Sequence, residues 1–124
     1  SQMVEEEEEV IEQPTNTAAT VFYFEFDKAI LSSDTRASLI EHAQFMKNYP
    51  SNIRLEGHAD ERGTREYNLA LAERRATAVR DYLVALGLDQ NRIKTISYGK
   101  ERPVDARSVE DAWSKNRRSV TTVD

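Results

Sequence analysis

The sequence predicts an α+β sandwich of order β-α-β-α-β-β, in which helices pack against a mixed sheet. Segments whose apolar residues recur at every second position alternate with two long segments that have the apolar period of helices. Long helices between strands indicate parallel crossover connections, whereas the last two strands have no long helix between them. We therefore expect one of those last two strands to run antiparallel to its neighbours.

The first strand and the first helix follow from alternation and from capping residues. Residues 20–27 alternate strictly, which predicts a strand with one fully apolar face. That face consists of Phe22, Phe24 and Phe26. Residues 32–34 offer N-cap oxygens to a helix that is predicted to end near residue 48. The side of this helix that we expect to be buried consists of Leu39, Ile40, Ala43 and Met46.

The second strand is predicted over residues 52–58, and a long second helix over about residues 66–86. The helix has apolar residues at steps of four and three, and Gly87 supplies its C-terminal break. The apolar residues of this helix are Ala72, Ala76, Val79, Leu83 and Leu86. The remaining predicted elements are a strand over residues 92–98, one or two helical turns over residues 109–115, and a weak strand over residues 118–123.

Charge is concentrated at the N-terminus of the 124-residue chain. Six of the first 13 residues are Glu and none is Lys or Arg, whereas the other 111 residues carry 16 acidic and 17 basic side chains. We expect residues 1–20 to be a flexible acidic linker, or alternatively an acidic interaction tail, and residues 21–124 to form one domain. The near-neutral domain is not expected to bind nucleic acid through its bulk charge.

The passage from the second strand into the second helix, residues 55–80, is the candidate site. Strand ends and helix starts present unpaired backbone groups, and ligands of α/β domains often bind at such places. This passage carries Asp60, Arg62, Asn68 and Arg75. The absence of cysteine excludes disulfides and thiol chemistry.

Helix geometry indicates how this site is arranged. At 100° per residue, Asn68, Leu71 and Arg75 share one stripe beside the buried face, whereas Arg74 points to solvent. Arg75 is expected to be partly desolvated, so that its guanidinium can bind a carboxylate in a bidentate manner. Asp60 would supply a negative pole, and the two poles together suit a zwitterion such as an amino-acid α-centre. Alternatively, Asp60 and Arg75 form an ion pair that only fixes the loop to the helix.

Other kinds of site are poorly supported by the residues. His58, Asp60 and Glu61 could imitate a metal cluster, but their spacing is not that of metal ligands. No Ser–His–acid arrangement stands out for nucleophilic catalysis. Asp60 and Glu61 are adjacent and would diverge, which does not favour glycoside cleavage. We therefore expect no enzyme activity, no metal and no cofactor.

The run GHADERGTREYNLALAERRATAV, residues 57–79, resembles the signature of the OmpA-like peptidoglycan-binding domains. Three further motifs resemble the peptidoglycan-associated lipoproteins within this family: FDK at residues 26–28, SYGKE-x-P at residues 97–103 and SKNRR at residues 114–118. The resemblance covers residues 21–120, with the motifs in the same order. It implies a four-stranded mixed sheet with helices on one face, in which the last strand is antiparallel and inserted among parallel strands.

The resemblance also implies a ligand and residues that contact it. The ligand is the meso-diaminopimelate group of the peptidoglycan stem peptide, bound without covalent chemistry. Asp60 would accept its ammonium and Arg75 would bind its carboxylate. The other contacting residues that the resemblance implies are Phe26, Asp27, Arg62, Asn68 and Leu71. For Arg117 and Arg118 it implies a structural role or a place at the rim.

Partners and location are likewise implied by the resemblance. Members of this kind tether the outer membrane to the cell wall as part of the Tol-Pal system, on the periplasmic face of the membrane. They bind TolB and possibly other Tol proteins, and a lipidated N-terminal cysteine anchors them. This chain has no cysteine, so membrane attachment would apply to a longer parent. The alternative is a protein–protein adaptor whose main partner is TolB, with cell-wall binding secondary.

Overall fold

A computed structural model describes residues 20–49 and 51–124 of the chain. The predicted linker, residues 1–20, therefore lies outside the described residues except for Thr20. The helices and strands are β1 (Val21–Tyr23), α1 (Ser33–Asn48), β2 (Ile53–His58), α2 (Arg65–Ala85), β3 (Ile93–Gly99), α3 (Glu110–Asn116) and β4 (Arg118–Val123), with a 3-10 turn at Gln90–Arg92 before β3. None of these helices combines the length and apolar character that crossing a membrane requires.

The strands form one mixed sheet in the order β1-β4-β2-β3. Strands β2 and β3 are parallel, whereas β4 runs antiparallel to both β1 and β2 and lies between them. The expected fold class and the inserted last strand are thereby confirmed. The order brings the end of β2, the turn after β1 and the start of β4 to the same edge of the sheet, which is the edge that carries the candidate site.

The core lies between the sheet and the two long helices, α1 and α2. Its buried apolar side chains are Phe22, Phe24, Leu39, Ala43, Met46, Ile53, Leu55, Ala76, Val79, Leu83, Leu88 and Ile93. Helix α2 crosses β2 very closely at Gly57, where an added Cβ would lie 1.8 Å from the main-chain oxygen of Ala72. Only glycine allows this approach. The close contact at Gly57 sets the distance between α2 and β2, the strand that leads into the site.

The caps of α1 and α2 agree with their predicted boundaries. Ser32 accepts a hydrogen bond from the backbone N–H of Thr35, and Thr64 accepts one from that of Tyr67. Each oxygen satisfies an N–H group that has no partner within its helix. At the other end of α2, Gly87 has a φ of 108°, which lets the chain turn sharply after the helix.

Two details of the predicted elements are wrong. The first strand ends at Tyr23 rather than Asp27, and Phe26 is 53% exposed although it was expected to share the apolar face of Phe22. Beyond the strand, the chain turns at Asp27, whose φ is 61°. Ile40 is 39% exposed rather than buried, since the buried side of α1 is centred on Leu39 instead.

Candidate ligand-binding site

A cavity of about 320 Å³ opens at the edge of the sheet where β2 ends and α2 begins. Its walls come from the turn after β1, the loop between β2 and α2, and the first three turns of α2. The lining residues are Phe26, Asp27, Asp60, Arg62, Gly63, Tyr67, Asn68, Leu71 and Arg75. All seven residues predicted as contacts thus line one cavity, together with Gly63 and Tyr67, which were not predicted.

Arg75 lies at the base of this cavity and is fully buried, rather than partly desolvated as predicted. Its guanidinium donates hydrogen bonds to three main-chain oxygens, those of Lys28 at 2.9 Å, His58 at 2.9 Å and Glu25 at 3.1 Å. No carboxylate among the described residues forms an ion pair with it. One N–H group on Nη1 and one on Nη2 have no acceptor among the described residues.

Burial makes the positive charge of Arg75 costly. It lowers the pKa of this guanidinium to about 10, although the nearby carboxylates of Asp60 and Asp27 act in the opposite direction. At neutral pH the side chain is still charged. A buried cation without an anionic partner among the described residues favours the binding of an anion from outside.

Asp60 is also buried, but its partner is Arg62 rather than Arg75. The backbone N–H and the Nε of Arg62 donate to Asp60 Oδ1 at 3.0 and 3.2 Å, and Nη2 donates to Oδ2 at 2.7 Å. Arg117 Nη1 lies 3.6 Å from the same Oδ2. The alternative in which Asp60 and Arg75 only pair with each other is therefore not observed.

The pKa of Asp60 reflects these contacts. Burial alone would raise the pKa, but the hydrogen bonds from Arg62 and the charges of Arg62 and Arg117 outweigh it, so that the pKa lies below its ordinary value. Asp60 is consequently a carboxylate at neutral pH. The site holds both charges that a zwitterionic ligand requires, although its negative pole is engaged by Arg62.

Arg62 is held between two aromatic rings. Its guanidinium carbon lies 4.0 Å from the ring centroids of both Phe26 and Trp113. Trp113 Nε1 donates to Glu61 at 2.8 Å, which ties α3 to the loop that carries Arg62. Trp113 was missed in the sequence because it lies 51 positions from Arg62 and only the fold brings the two together.

The side chains of α2 complete the walls. Asn68 Nδ2 donates to the main-chain oxygen of Arg62 at 2.8 Å, so this amide fixes the loop rather than the ligand in the present structure. Leu71 is buried and supplies apolar wall. The hydroxyl of Tyr67 donates to Asp27 Oδ1 across the mouth of the cavity. Tyr67 lies on the first turn of α2, directly before Asn68. Its place beside Asn68 was the only feature of the sequence that could have identified Tyr67 as a lining residue.

The two arginines before β4 act mainly on the backbone. Arg117 Nε donates to the main-chain oxygen of Phe24 at 2.8 Å, and Nη2 donates to Glu110 at 3.1 Å. Arg118 donates to the main-chain oxygens of Asn116 and Arg102. Neither lines the cavity, although Arg117 adds positive charge behind Asp60. Within the described residues, no three acidic or histidine side chains lie close enough together to hold a metal ion.

The sequence profile of the OmpA family matches residues 23–117, a range that includes the three helices, β2, β3 and every residue that lines the cavity. The chain belongs to the OmpA family. Its relatives in this family include proteins named peptidoglycan-associated lipoprotein, which are 50% identical over 102 residues in Brucella melitensis and 53% identical over 102 residues in Rhizobium meliloti. Each match covers 82% of this chain, whereas the chain spans 61% and 58% of the length of those two relatives. The resemblance indicated by the motifs is confirmed.

Two solved structures share the fold of this chain. The peptidoglycan-associated lipoprotein from Burkholderia pseudomallei superposes with a TM-score of 0.85 at 40% identity, and the match covers 89% of this chain and 94% of that one. The C-terminal domain of Helicobacter pylori MotB superposes with a TM-score of 0.78 at 21% identity, covering 86% of this chain and 84% of that domain. The similarity to the MotB domain is evidence for the shared fold only.

Proposed function

We propose that this domain binds peptidoglycan without covalent chemistry, through the meso-diaminopimelate group of the stem peptide. The observation that carries the proposal is that Arg75 and Asp60 line one cavity without pairing with each other. The distal centre of diaminopimelate bears one ammonium and one carboxylate, so it matches both poles. The names of the relatives in Brucella and Rhizobium point to the same polymer.

In the proposed complex, the carboxylate of the ligand binds Arg75 at the base of the cavity. The N–H groups of Nη1 and Nη2 that have no main-chain acceptor would form charge-assisted hydrogen bonds to it. The ammonium binds Asp60, with Asp27 as a second carboxylate at the mouth. Leu71 and Phe26 contact the methylene groups between the backbone of the stem peptide and the charged centre.

The site supports binding rather than catalysis. A general base works best when its pKa lies near the operating pH, whereas the pKa of Asp60 is lowered by Arg62 and Arg117. Arg75 donates to main-chain oxygens, and no serine, threonine, cysteine or lysine is among the described residues that line the cavity. We therefore propose a module without enzyme activity.

The parent protein is proposed to tether the outer membrane to the cell wall as part of the Tol-Pal system, on the periplasmic side. This follows from the motifs and from the lipoprotein names of relatives that are longer than this chain. TolB is a proposed second partner. Phe26 and Tyr67, which are 53% and 43% exposed at the mouth of the cavity, provide apolar surface for a protein, so TolB and peptidoglycan would compete there.

Calorimetric titration with two peptides tests the proposed ligand. One is a stem peptide that contains meso-diaminopimelate, and the other is the same peptide with lysine in its place. Lysine lacks the distal carboxylate, so we expect it to bind at least about 30-fold more weakly, the scale of one lost charge-assisted contact of about 2 kcal/mol. Equal affinities would refute the role assigned to Arg75. Analysis of the peptides after long incubation tests the absence of catalysis, which any cleavage product would contradict.

A further inference from the structure

We propose that Arg62 is a built-in competitor for the ammonium of the ligand, and that this competition makes the site select ligands carrying both charges. The inference rests on the proposed function and concerns the same cavity. Arg62 donates hydrogen bonds to both oxygens of Asp60, from Nε to Oδ1 at 3.2 Å and from Nη2 to Oδ2 at 2.7 Å. An incoming ammonium must therefore take the place of this guanidinium on Asp60.

The position of Arg62 allows it to leave. Its side chain is 31% exposed, whereas that of Asp60 is 4% exposed, so the arginine is the outer partner of the pair. Apart from its hydrogen bonds to Asp60, the guanidinium contacts the ring faces of Phe26 and Trp113, and such ring contacts are less directional than hydrogen bonds. The carboxylate of Glu110 lies 4.0 Å from Nη2 but is already bound by Arg117 Nη2 at 3.1 Å, so it compensates little for the loss of Asp60.

The loop itself does not have to move. The main-chain oxygen of Arg62 accepts a hydrogen bond from buried Asn68 at 2.8 Å, and its N–H is bound to Asp60 Oδ1 at 3.0 Å. Two hydrogen bonds thus hold the backbone on either side of the Cα, and neither of them involves the guanidinium. The exchange is therefore confined to one side chain.

Selectivity follows from counting ion pairs before and after binding. A ligand that carries only an ammonium exchanges the Arg62–Asp60 pair for an ammonium–Asp60 pair, and gains little. A ligand that also carries a carboxylate adds a partner for Arg75 and for the released Arg62, so the number of pairs increases. Arg62 thereby weakens the binding of ligands with a lone ammonium, while a zwitterionic ligand compensates for its displacement.

The test compares the wild-type domain with Arg62→Gln, Arg62→Lys and the control Arg65→Gln. Arg65 is 70% exposed, pairs with Glu101 and does not line the cavity. Each protein is titrated with the diaminopimelate stem peptide and with its lysine counterpart. We expect Arg62→Gln to bind the lysine peptide about tenfold more tightly than wild type does, which corresponds to about 1.4 kcal/mol. Arg62→Lys should lie between the two, because a single ammonium cannot cover both oxygens.

Fluorescence of Trp113, the only tryptophan in the chain, gives a second readout. Because Arg62 lies on its ring at 4.0 Å, displacement by the diaminopimelate peptide should change the emission of wild type and of Arg65→Gln but not that of Arg62→Gln. If both peptides lose affinity equally in Arg62→Gln, Arg62 is a simple contact and the inference is overturned while the proposed function stands. If neither peptide binds the wild-type domain, the proposed function and this inference both fail.

Discussion

Arg75 donates a hydrogen bond from Nη1 to the main-chain oxygen of His58, over 2.9 Å, at the residue where β2 ends. The same guanidinium binds the main-chain oxygens of Glu25 and Lys28 in the turn after β1. One buried side chain therefore joins the two backbone segments that form the cavity. The group proposed to bind the ligand is also a group on which the local fold depends.

Arg75→Ala is expected to lower both stability and affinity. Three main-chain oxygens would lose a charged donor that is itself fully buried, so we expect the free energy of unfolding to fall by about 3 kcal/mol or more. Urea denaturation measures this change. Arg74→Ala is the matched control, because Arg74 is exposed on the same turn of α2 and its loss should change stability by less than about 0.5 kcal/mol. An Arg75→Ala variant as stable as wild type would contradict the structural role.

Asp60→Asn tests the charge of the Asp60 side chain independently of its size. The amide keeps the size of the side chain but cannot neutralise an ammonium, so we expect affinity for the diaminopimelate peptide to fall by about 2–4 kcal/mol. The control is Glu61→Gln, which removes a carboxylate from the exposed neighbouring residue, keeps an oxygen for Trp113 and should bind normally. Calorimetry on both variants provides the measurement. Unchanged affinity in Asp60→Asn would show that the carboxylate of Asp60 does not bind the ligand.

Local sequence patterns reveal which residues share one side of a helix, but not which distant segments they contact. Helical spacing placed Asn68, Leu71 and Arg75 on one side of α2, and the structure has all three lining the cavity. Spacing could not show the acceptors of Arg75, because two of them, Glu25 and Lys28, lie 50 and 47 positions away in the chain. Such contacts depend on how the sheet is assembled.

The pairing of Asp60 could have been anticipated from local sequence. Arg62 follows it by two residues in a loop, where an aspartate commonly accepts a hydrogen bond from the backbone N–H two positions on. By contrast, nothing in the alternation of residues 20–27 indicates that the chain leaves the sheet after Tyr23. At Phe24 the N–H still donates to the main-chain oxygen of Arg117 at 2.9 Å, whereas the main-chain oxygen of Phe24 accepts from the Nε of the Arg117 side chain at 2.8 Å.

Gly57→Ala is expected to destabilise the domain much more than Gly63→Ala. The new Cβ at residue 57 would lie 1.8 Å from the main-chain oxygen of Ala72, so α2 would have to move away from β2, at a cost of about 3 kcal/mol. At Gly63 the nearest atom would be 3.5 Å away, and only the φ of 98° adds strain, of about 1–2 kcal/mol. Thermal denaturation of both variants compares them directly. Equal loss of stability would show that α2 is not held by this close approach.

The ring of His58 is buried against Tyr98, and its Nδ1 has no hydrogen-bond partner among the described residues. Burial and the positive charges of Arg118 and Arg102 lower the pKa of His58 from 6.5 to about 4. Between these two values the unfolded chain holds a proton on this imidazole that the folded chain does not. Stability should therefore fall as the pH falls through this window, by about 1.4 kcal/mol per pH unit from this group.

Urea denaturation at pH 7 and pH 5 measures the effect, and His58→Phe is the control because it keeps an aromatic ring against Tyr98 without a titrating group. We expect the wild-type domain to lose about 2 kcal/mol more between these pH values than the variant does. The lowered pKa of Asp60 acts in a separate window, since its contribution is present above the ordinary pKa of 3.8 and is lost as the pH falls through the lower, folded value. Equal pH dependence of the two proteins would show that the pKa of His58 is the same in the folded and the unfolded chain.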